Sequence, residues 1–391
     1  MVNVIFLGLV SFFADISAEM VYPIIPLYLT SVFGATPAIV GLIEGIAESA
    51  ASLLKVFSGY FTDKYKKKKP IAFVGYASGL IYKVALVFAN SWGGILGARI
   101  IDRIGKGIRT APRDVMVSES SDSERAGTAF GIHKALDMAG SALGILMAYL
   151  LMKNSNGDFK YKQIFLLSII PAVLSLLMFF KIKERREERV LKEREPFWNN
   201  VKKLDSQLKL YILVAFLFTL GNSSNAFLIL RAKNVGFDDT TVILLYFIYN
   251  ITASILAIPA GKRSDKVGRK RSLVAGYIVF ALVYFGFALA YNKTFMVVLF
   301  IFYGVYTALT AGVERAFIAE VSPKDLKGTM LGLNSTVVGI ALLPASAIAG
   351  LLWNLFGAEA PFIFGGCMSL AAAFILIAFM KSGKREIKLE S

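Results

Sequence analysis

The stretch GYFTDKYKKKK at residues 59–69 recurs as GKRSDKVGRKR at residues 261–271, with its glycine, aspartate and basic residues in register. A second pair keeps nearly the same offset, because GTAFG at residues 127–131 matches GTMLG at residues 328–332. Two separate matches at one offset indicate that the chain consists of two related halves in tandem.

Between these repeats the sequence is compatible with lipid, since 56% of the residues are hydrophobic and the mean hydropathy is +0.62. A helix needs roughly 20 mostly apolar residues to cross a bilayer, and twelve segments of this kind, six in each half, are predicted as spans 1 to 12. Their approximate limits are 4–30, 36–60, 70–90, 92–117, 126–152, 162–181, 208–231, 239–260, 271–291, 294–320, 327–353 and 359–381. The alternation that a transmembrane β-barrel requires is absent. The predicted fold is an all-α polytopic membrane protein with two six-helix bundles.

The predicted domains are an N-terminal bundle at 1–181, a charged cytoplasmic linker at 182–207, and a C-terminal bundle with a short tail at 208–391. The first segment has no preceding basic residue and no small-residue cleavage site, so it is expected to be a retained helix rather than a secretion signal. Cys367 is the only cysteine, which excludes an intrachain disulfide and a thiolate metal cluster. No metal site is expected.

The formal net charge of +16 is concentrated beside the predicted spans, in alternate loops. Lysine and arginine are concentrated in residues 64–69 and 262–271, whereas residues 31–36 and 353–360 contain neither. This asymmetry is the topology signal of a membrane protein rather than a nucleic-acid surface. Both termini are therefore predicted to lie in the cytoplasm, with the chain integral to the inner or plasma membrane.

The repeated loop resembles the signature loop of the major facilitator superfamily, and the resemblance extends over essentially the whole chain. In each half the loop after the second span contains a glycine and, four positions later, an aspartate that is followed by lysine and by further basic residues. The resemblance implies two halves related by an axis along the membrane normal, a central cavity, and alternating access by rocking of the halves. A monomer in the lipid bilayer is expected.

The repeated residues are predicted to form a cytoplasmic gate, in keeping with the superfamily. Asp63 is expected to dock at the start of span 11 near Gly328 and Thr329, where free N–H groups and the helix dipole favour an anion. Asp265 is expected to dock symmetrically at the start of span 5. The predicted gate residues are Gly59, Asp63, Lys64, Gly127, Thr128, Gly261, Asp265, Lys266, Arg269, Gly328 and Thr329. In the alternative, the two carboxylates only balance neighbouring lysines.

Ionisable residues inside a membrane are costly and usually functional, and nearly all of them here lie in the first half. The candidates for coupling or substrate binding are Asp15, Glu19, Glu48, Arg99, Asp102, Arg103, Lys106, His133 and Asp137, joined from the second half by Asn222, Asn225 and Asn250. Spacings of three and four residues place the span 4 charges from Arg99 to Arg113 on one stripe. The alternatives are buried ion pairs for the charges and interhelical hydrogen bonds for the amides. His133 either senses protons or hydrogen-bonds Asp137.

Residues 99–105, RIIDRIG, are similar to the fourth-helix arginine motif of the superfamily's drug and proton antiporters, with Arg99 in the arginine position. The match is partial, since Asp102 stands where the motif usually has glutamine and Arg103 where it has glycine. Span 5 also lacks the Gly-Pro pair that is usual in those antiporters.

A secondary transporter is the function that explains the duplication, the paired loops and the intramembrane charges together. One histidine, no His-Glu-x-x-His motif and no Walker loop argue against an enzyme or an ATP-driven pump. No cofactor is expected beyond a proton or cation gradient. The favoured activity is proton-coupled movement of a small amphiphilic, drug-like molecule, with export as the direction. Uptake of an organic anion and a non-transporting receptor are the alternatives.

Overall fold

The computed structural model describes residues 2–65, 68–121, 126–154, 160–184, 206–322 and 327–380, without the side chains of 56–57, 59–65, 126–127, 319 and 327–329. These residues form helices joined by short loops, and the predicted all-helical membrane fold is confirmed. The predicted linker lies mostly outside the described residues.

The helices of the first half are α1 Val2–Val21, α2 Ile24–Phe33, α3 Pro37–Tyr65, α4 Lys68–Phe88, α5 Trp92–Glu119, α6 Ala126–Asn154, α7 Lys160–Leu167 and α8 Ile169–Phe179. Those of the second half are α9 Ser206–Gly221, α10 Ala226–Asn234, α11 Asp239–Val267, α12 Arg269–Leu289, α13 Lys293–Thr310, α14 Val313–Val321, α15 Lys327–Phe356 and α16 Ala360–Phe379. Each predicted span therefore corresponds to one helix or to two consecutive helices.

Four spans are interrupted within the apolar region. Span 1 breaks before α2 at Pro23, whose ring fixes φ and removes an N–H donor. Span 7 breaks at residues 222–225, between α9 and α10. Spans 6 and 10 break at Ser168 and at residues 311–312. Broken helices are tolerated in a membrane where neighbouring helices satisfy the freed backbone groups.

Span 4 differs from the other spans in composition. Eleven helices or helix pairs among the described residues are long and apolar enough to cross a membrane, and they cover every predicted span except span 4. Helix α5 carries charged side chains over three of its turns, from Arg99 to Arg109. Its place inside the bundle therefore depends on the partners that neighbouring helices supply.

The two halves meet along two helix pairs that the duplication relates to each other. Span 2 packs on span 11 through an extensive contact, and span 8 packs on span 5 through a smaller one. Within the first half, span 1 packs on span 5, and span 4 packs on spans 2 and 3. Span 4 thus packs on span 2, which carries Glu44 and Glu48, and on span 3, which carries Lys83.

Glycines bring span 2 and span 11 into close backbone contact. A Cβ at Gly45 would lie 2.9 Å from the carbonyl oxygen of Leu343, and one at Gly350 would lie 2.7 Å from that of Pro37. Real Cβ atoms do not approach backbone so closely, so both positions need glycine. Small residues on both helices let the backbones approach, which is how membrane helices gain packing energy.

The bundle has two ends, here called the terminal face and the loop face. Asn3, Ser120 and Lys183 meet at the terminal face, where the side chain of Asn3 donates to Ser120 Oγ at 2.6 Å. At the loop face, Lys160 and Tyr161 of span 6 both contact the carboxylate of Asp239 at the start of span 8. The two halves are therefore joined across the loop face.

Candidate functional site

A cavity of about 200 Å³ lies between the halves and is lined mainly by charged and polar side chains. Its lining residues are Ala18, Glu19, Tyr22, Glu48, Tyr82, Arg99, Asp102, Arg103, Lys106, Arg109, Asn225 and Tyr246. Seven of these twelve are ionisable acids or bases, and span 4 supplies five of them. From Arg99 to Arg109 the helix rises roughly 15 Å at about 1.5 Å per residue, so the span 4 stripe extends along the whole cavity.

The deepest ion pair joins Arg99 of span 4 to Glu44 of span 2. Nη2 of Arg99 lies 2.6 Å from each carboxylate oxygen, and both side chains are 2% exposed. Ser224, in the break of span 7, donates to the same carboxylate at 3.4 Å. Glu44 therefore links span 4 to the second half, a role that the sequence interpretation did not assign to it.

A second set of charges lies one turn further along the stripe. Arg103 donates to Glu48 at 2.8 Å. Asp102 lies 3.8 Å from Arg103, 3.8 Å from Lys83 and 3.9 Å from Arg99. Glu48 and Asp102 are thus neutralised by neighbouring bases within the first half. Tyr22 adds its ring face to the guanidinium groups of Arg99 and Arg103, at 5.4 and 5.8 Å.

Lys106 and Arg109 are the two cations of the cavity that form no ion pair among the residues the structure describes. Lys106 is exposed, whereas Arg109 is 8% exposed and packs on the Tyr76 ring at 4.4 Å. Nε of Arg109 is buried and has no hydrogen-bond partner there. Arg109, which helical spacing placed on the span 4 stripe, belongs to the cavity wall.

Arg113 leaves the stripe at its end near the terminal face. Its guanidinium binds Asp114, the next residue, at 2.9 Å, and the residue does not line the cavity. The periodicity correctly placed five of the six charged residues on one face, and the sixth turns to a local partner.

The acids of span 1 occupy two different surroundings. Glu19 lines the cavity, and its Oε2 is buried without a hydrogen-bond partner among the described groups. Asp15 lies one turn away and contacts the carboxyl group of Asp137 on span 5. Asp137 also accepts from Lys134 at 2.9 Å. Two predicted acids are thus brought together as a carboxyl pair beside the cavity.

His133 does not hydrogen-bond Asp137, although the two residues are four apart on span 5. Its Nε2 lies 3.0 Å from Ser11 Oγ, which in turn lies 3.1 Å from the hydroxyl of Tyr76. His133 is 5% exposed and is not part of the cavity lining. The ring is turned toward span 1 because Ser11 offers a partner there.

The second half faces the cavity with Asn225 and Tyr246. The hydroxyl of Tyr303 donates to Asn225 Oδ1 at 2.8 Å, and Asn225 Nδ2 donates to the hydroxyl of Tyr249 at 3.4 Å. Asn222, the other amide in the break of span 7, donates to the hydroxyl of Tyr306 at 2.9 Å. These tyrosines hold the amides in fixed orientations.

Asn250 does not reach the cavity. Its Nδ2 donates to the backbone carbonyl of Tyr246 on the preceding turn at 2.8 Å. The predicted cavity amide thus makes a local hydrogen bond on its own helix, and Tyr246 occupies the position facing the first half.

The predicted gate falls partly outside the described side chains. Three of its residues lie on α3, one on α6 and two on α15, namely Gly59, Asp63 and Lys64, then Gly127, then Gly328 and Thr329. The structure does not describe the side chains at these positions. The docking of Asp63 onto span 11 therefore stays a prediction.

In the second half, the carboxylate of Asp265 is bound by Arg269. Nη2 of Arg269 lies 3.5 Å from Oδ1 of Asp265, and the side chain of Asp265 is 60% exposed. Lys266 is exposed as well. Arg269 also pairs with Glu320 at 3.2 Å and donates to the carbonyl of Ala316 at 2.8 Å. Thr128 is exposed, and Gly261 lies on α11 with open space beside it. Asp265 thus balances a neighbouring base, and its docking at the start of span 5, where the side chains of residues 126–127 are not described, stays a prediction.

Several wall residues were missed by the sequence interpretation because their importance depends on the partner helix. Glu44, Lys83, Tyr22 and Tyr82 belong to the charged wall or its immediate support. A signal existed for Glu44 and Lys83, since both are ionisable residues inside predicted spans. Within the described residues, no group of three or more His, Cys, Asp or Glu side chains is arranged to hold a metal ion.

Comparison with known proteins identifies the fold and the family. The family model described as Major Facilitator Superfamily matches residues 7–230 and again residues 210–390. An uncharacterized MFS-type transporter of Methanocaldococcus jannaschii is 38% identical over 381 residues, which cover 96% of this chain and 94% of the relative. The multi-drug resistance efflux pump PmrA of Streptococcus pneumoniae is 28% identical over 140 residues, 36% of this chain and 35% of the pump.

Among solved structures, the nucleoside transporter NupG superposes with a TM-score of 0.83 over 97% of this chain and 100% of that one. The sequence identity is 12%, so this likeness concerns the fold alone. The family match and the twelve spans agree with the resemblance carried by the repeated loop.

Proposed function

Since this chain belongs to the major facilitator superfamily of membrane transporters, we propose that it is a proton-coupled secondary transporter that moves a small molecule by alternating access. It uses an ion gradient and no organic cofactor. Both termini face the cytoplasm in this proposal, because the basic loops lie at the terminal face. The transporting unit is a monomer.

The observation that carries proton coupling is the contact between the carboxyl groups of Asp15 and Asp137. Two carboxylates in contact inside a membrane protein cannot both remain ionised, because like charges at that distance repel strongly. In this proposal the pair holds one proton. The charged groups around it are Lys134 on span 5 and Lys106, Arg109 and Arg113 on span 4, and His133 lies one turn before Asp137 on span 5. Loss of the shared proton adds a negative charge directly beside the two unpaired cations of the cavity.

Alternating access is supported by the way the halves meet. The loop face is joined by Lys160, Tyr161 and Asp239, and span 2 and span 11 are in glycine contact. Opening the cavity toward the loop face requires these contacts to separate, while the ion pairs of the charged wall stay within the first half. Asp63 and Asp265 are proposed to act at the opposite end as gate residues.

Proton coupling is tested with purified protein in proteoliposomes, by solid-supported-membrane current and pH-dye flux. The solutes are a panel of organic anions, neutral molecules and hydrophobic cations. Asp15→Asn and Asp137→Asn are each expected to reduce proton-driven flux by at least ten-fold, because neither variant keeps two carboxyl groups to share a proton. Asp238→Asn is the matched control, since Asp238 caps α11 at Thr241 and asparagine caps a helix equally well.

The result that overturns proton coupling is a substrate-dependent current that ignores the proton gradient in both directions. Wild-type coupling in both carboxyl-pair variants would overturn the assignment to Asp15 and Asp137. A fall in flux in Asp238→Asn of the same size would show that the effect is not specific to the pair.

A second candidate function is the export of drug-like amphiphilic compounds. Its support is the partial likeness to the efflux pump and the arginine motif of span 4. Its weakness is the wall of the cavity, which is charged rather than apolar, whereas pockets for drug-sized ligands are predominantly hydrophobic. Proton-driven ethidium uptake into inside-out vesicles would favour this candidate, and its absence alongside anion transport would dismiss it.

A further inference from the structure

The charge balance of the cavity leaves a place for one negative charge. Glu44 and Glu48 bind Arg99 and Arg103, and Asp102 lies between bases, including Lys83. Three charged lining residues remain outside these pairs, namely the cations Lys106 and Arg109 and the acid Glu19. Two unpaired cations and one unpaired acid leave one excess positive charge.

The carboxyl pair beside the cavity does not remove that excess. Asp15 and Asp137 together carry one negative charge while they share a proton, and Lys134 lies 2.9 Å from Asp137 to balance it. His133 is held by Ser11 on the far side of span 1 and is not in the cavity. The excess positive charge of Lys106 and Arg109 is therefore available to a ligand.

Arg109 has the properties of a ligand group rather than of a structural ion-pair partner. It is 8% exposed, it lines the cavity, and unlike Arg99 and Arg103 it forms no ion pair among the described residues, its guanidinium lying instead 4.4 Å from the centre of the Tyr76 ring. A buried guanidinium without a carboxylate is costly unless a negative group binds to it. Arginine presents a planar fork of donors that suits a carboxylate or another oxyanion.

The other end of the cavity is neutral and hydrogen-bonding. Tyr22 and Tyr246 face each other there with ring centroids 5.7 Å apart, and Asn225 is held by the hydroxyl of Tyr303. Glu19 offers a free carboxyl oxygen between the two ends. Such a wall suits the uncharged part of a small ligand, through a ring or a hydroxyl group.

We infer that the cavity binds a small organic monoanion, with its carboxylate between Lys106 and Arg109 and its uncharged part against Asn225 and Tyr246. This inference rests on the proposed function, because it names the substrate class of the same site. A monoanion makes the unpaired set neutral, whereas a cation would add to the excess positive charge. A proton delivered by the carboxyl pair then accompanies the anion.

Binding is tested without a membrane gradient, by thermal unfolding of the full chain in detergent at millimolar concentrations of probe. The probes are benzoate, nicotinate and lactate, each compared with its neutral amide, and benzylamine as a cation. The carboxylates are expected to raise the unfolding temperature by preferential binding to the folded protein. The amides and benzylamine are expected to leave it unchanged.

Two variants assign the anion to the cations of span 4. Lys106→Gln and Arg109→Gln should each weaken carboxylate binding about ten- to a hundred-fold, the usual loss for one hydrogen bond to a charged group. Lys106→Gln is the safer variant, because Lys106 is exposed and its loss leaves the packing intact. Lys153→Gln removes the same charge from an exposed site at the far end of span 5 and should bind like the wild type.

The inference is overturned if the carboxylates give no shift, if the amides stabilise equally, or if Lys106→Gln and Arg109→Gln bind as tightly as Lys153→Gln. Its failure is distinguishable from that of the proposed function. Proton-driven flux of neutral or cationic solutes alone would overturn the anion class and preserve proton coupling. Carboxylate binding together with currents that ignore the proton gradient would overturn proton coupling and preserve the anion class.

Discussion

The two walls of the cavity are built by different chemistry. The wall of the first half consists of buried ion pairs, such as Arg99 with Glu44 and Arg103 with Glu48. The wall of the second half consists of neutral hydrogen bonds between amides and tyrosines, such as Asn225 with Tyr303. The two halves suggested by the repeat therefore carry different chemistry where they face each other.

The two walls differ in how far the free energy of unfolding falls when one side chain is changed. Removing one partner of a buried ion pair leaves an uncompensated charge and costs about 3–5 kcal/mol. Removing a neutral hydrogen bond costs about 1 kcal/mol. The wall of the first half is thus expected to tolerate changes of single side chains less well than the wall of the second half.

The largest effect is expected from Glu44→Gln. This change leaves Arg99 buried at 2% exposure with no carboxylate at 2.6 Å, so the free energy of unfolding should fall by about 3–5 kcal/mol. The measurement is unfolding of the purified protein in mixed micelles with increasing denaturing detergent.

Two further variants show whether the loss comes from the stranded charge. The double variant Glu44→Leu with Arg99→Met removes both charges and should recover most of the stability, because an apolar pair replaces the buried ion pair. Asp114→Asn, at the more exposed pair with Arg113, should cost less than about 1 kcal/mol. Equal losses in Glu44→Gln and Asp114→Asn would contradict the sensitivity of the charged wall to single changes.

A smaller effect is expected from Tyr303→Phe in the second half. The change removes the hydroxyl that donates to Asn225 Oδ1 at 2.8 Å, and the same unfolding measurement should show a loss of about 1 kcal/mol. Tyr291→Phe is the matched control, because Tyr291 is 75% exposed, and it should unfold like the wild type. If Tyr303→Phe lowered the free energy of unfolding as much as Glu44→Gln, the charged wall would not be more sensitive to single changes than the neutral wall.

The smallest effect on stability is expected from Asp265→Asn at the terminal face. Asp265 is 60% exposed and lies 3.5 Å from Arg269, so the free energy of unfolding should change by less than about 1 kcal/mol. If Asp265 acts as a gate residue, flux in proteoliposomes should nevertheless fall several-fold. Unchanged flux would remove Asp265 from the gate, and a large loss of stability would contradict the exposed pair.

Hydropathy and the repeat were sufficient to predict the spans and the family resemblance, because both depend on features that persist over many residues. The span 4 stripe was also predictable, since helical periodicity fixes which side chains share a face. The interruption of span 7 at residues 222–225 was not predicted. It depends on Ser224 and Asn225 finding partners on other helices, and a single sequence does not identify those partners.

Side-chain partners were the least predictable part of the site. Periodicity placed His133 and Asp137 on one face, yet His133 binds Ser11 on span 1. Asn250 had a suitable depth, but it is satisfied by the carbonyl of Tyr246 on its own helix. Glu44 lies inside predicted span 2 and was not among the candidates, since its pairing with Arg99 depends on how span 2 packs against span 4.

The charged composition of span 4 also bears on how the chain is made. The other eleven spans are long and apolar enough to cross a membrane, but a helix centre carrying arginine and aspartate is penalised by about 2.5–3.5 kcal/mol per residue. Glu44, which neutralises Arg99, is synthesised 55 residues earlier. We therefore expect span 4 to enter the bilayer in contact with span 2, because the order of synthesis supplies the carboxylate before the arginine that it neutralises.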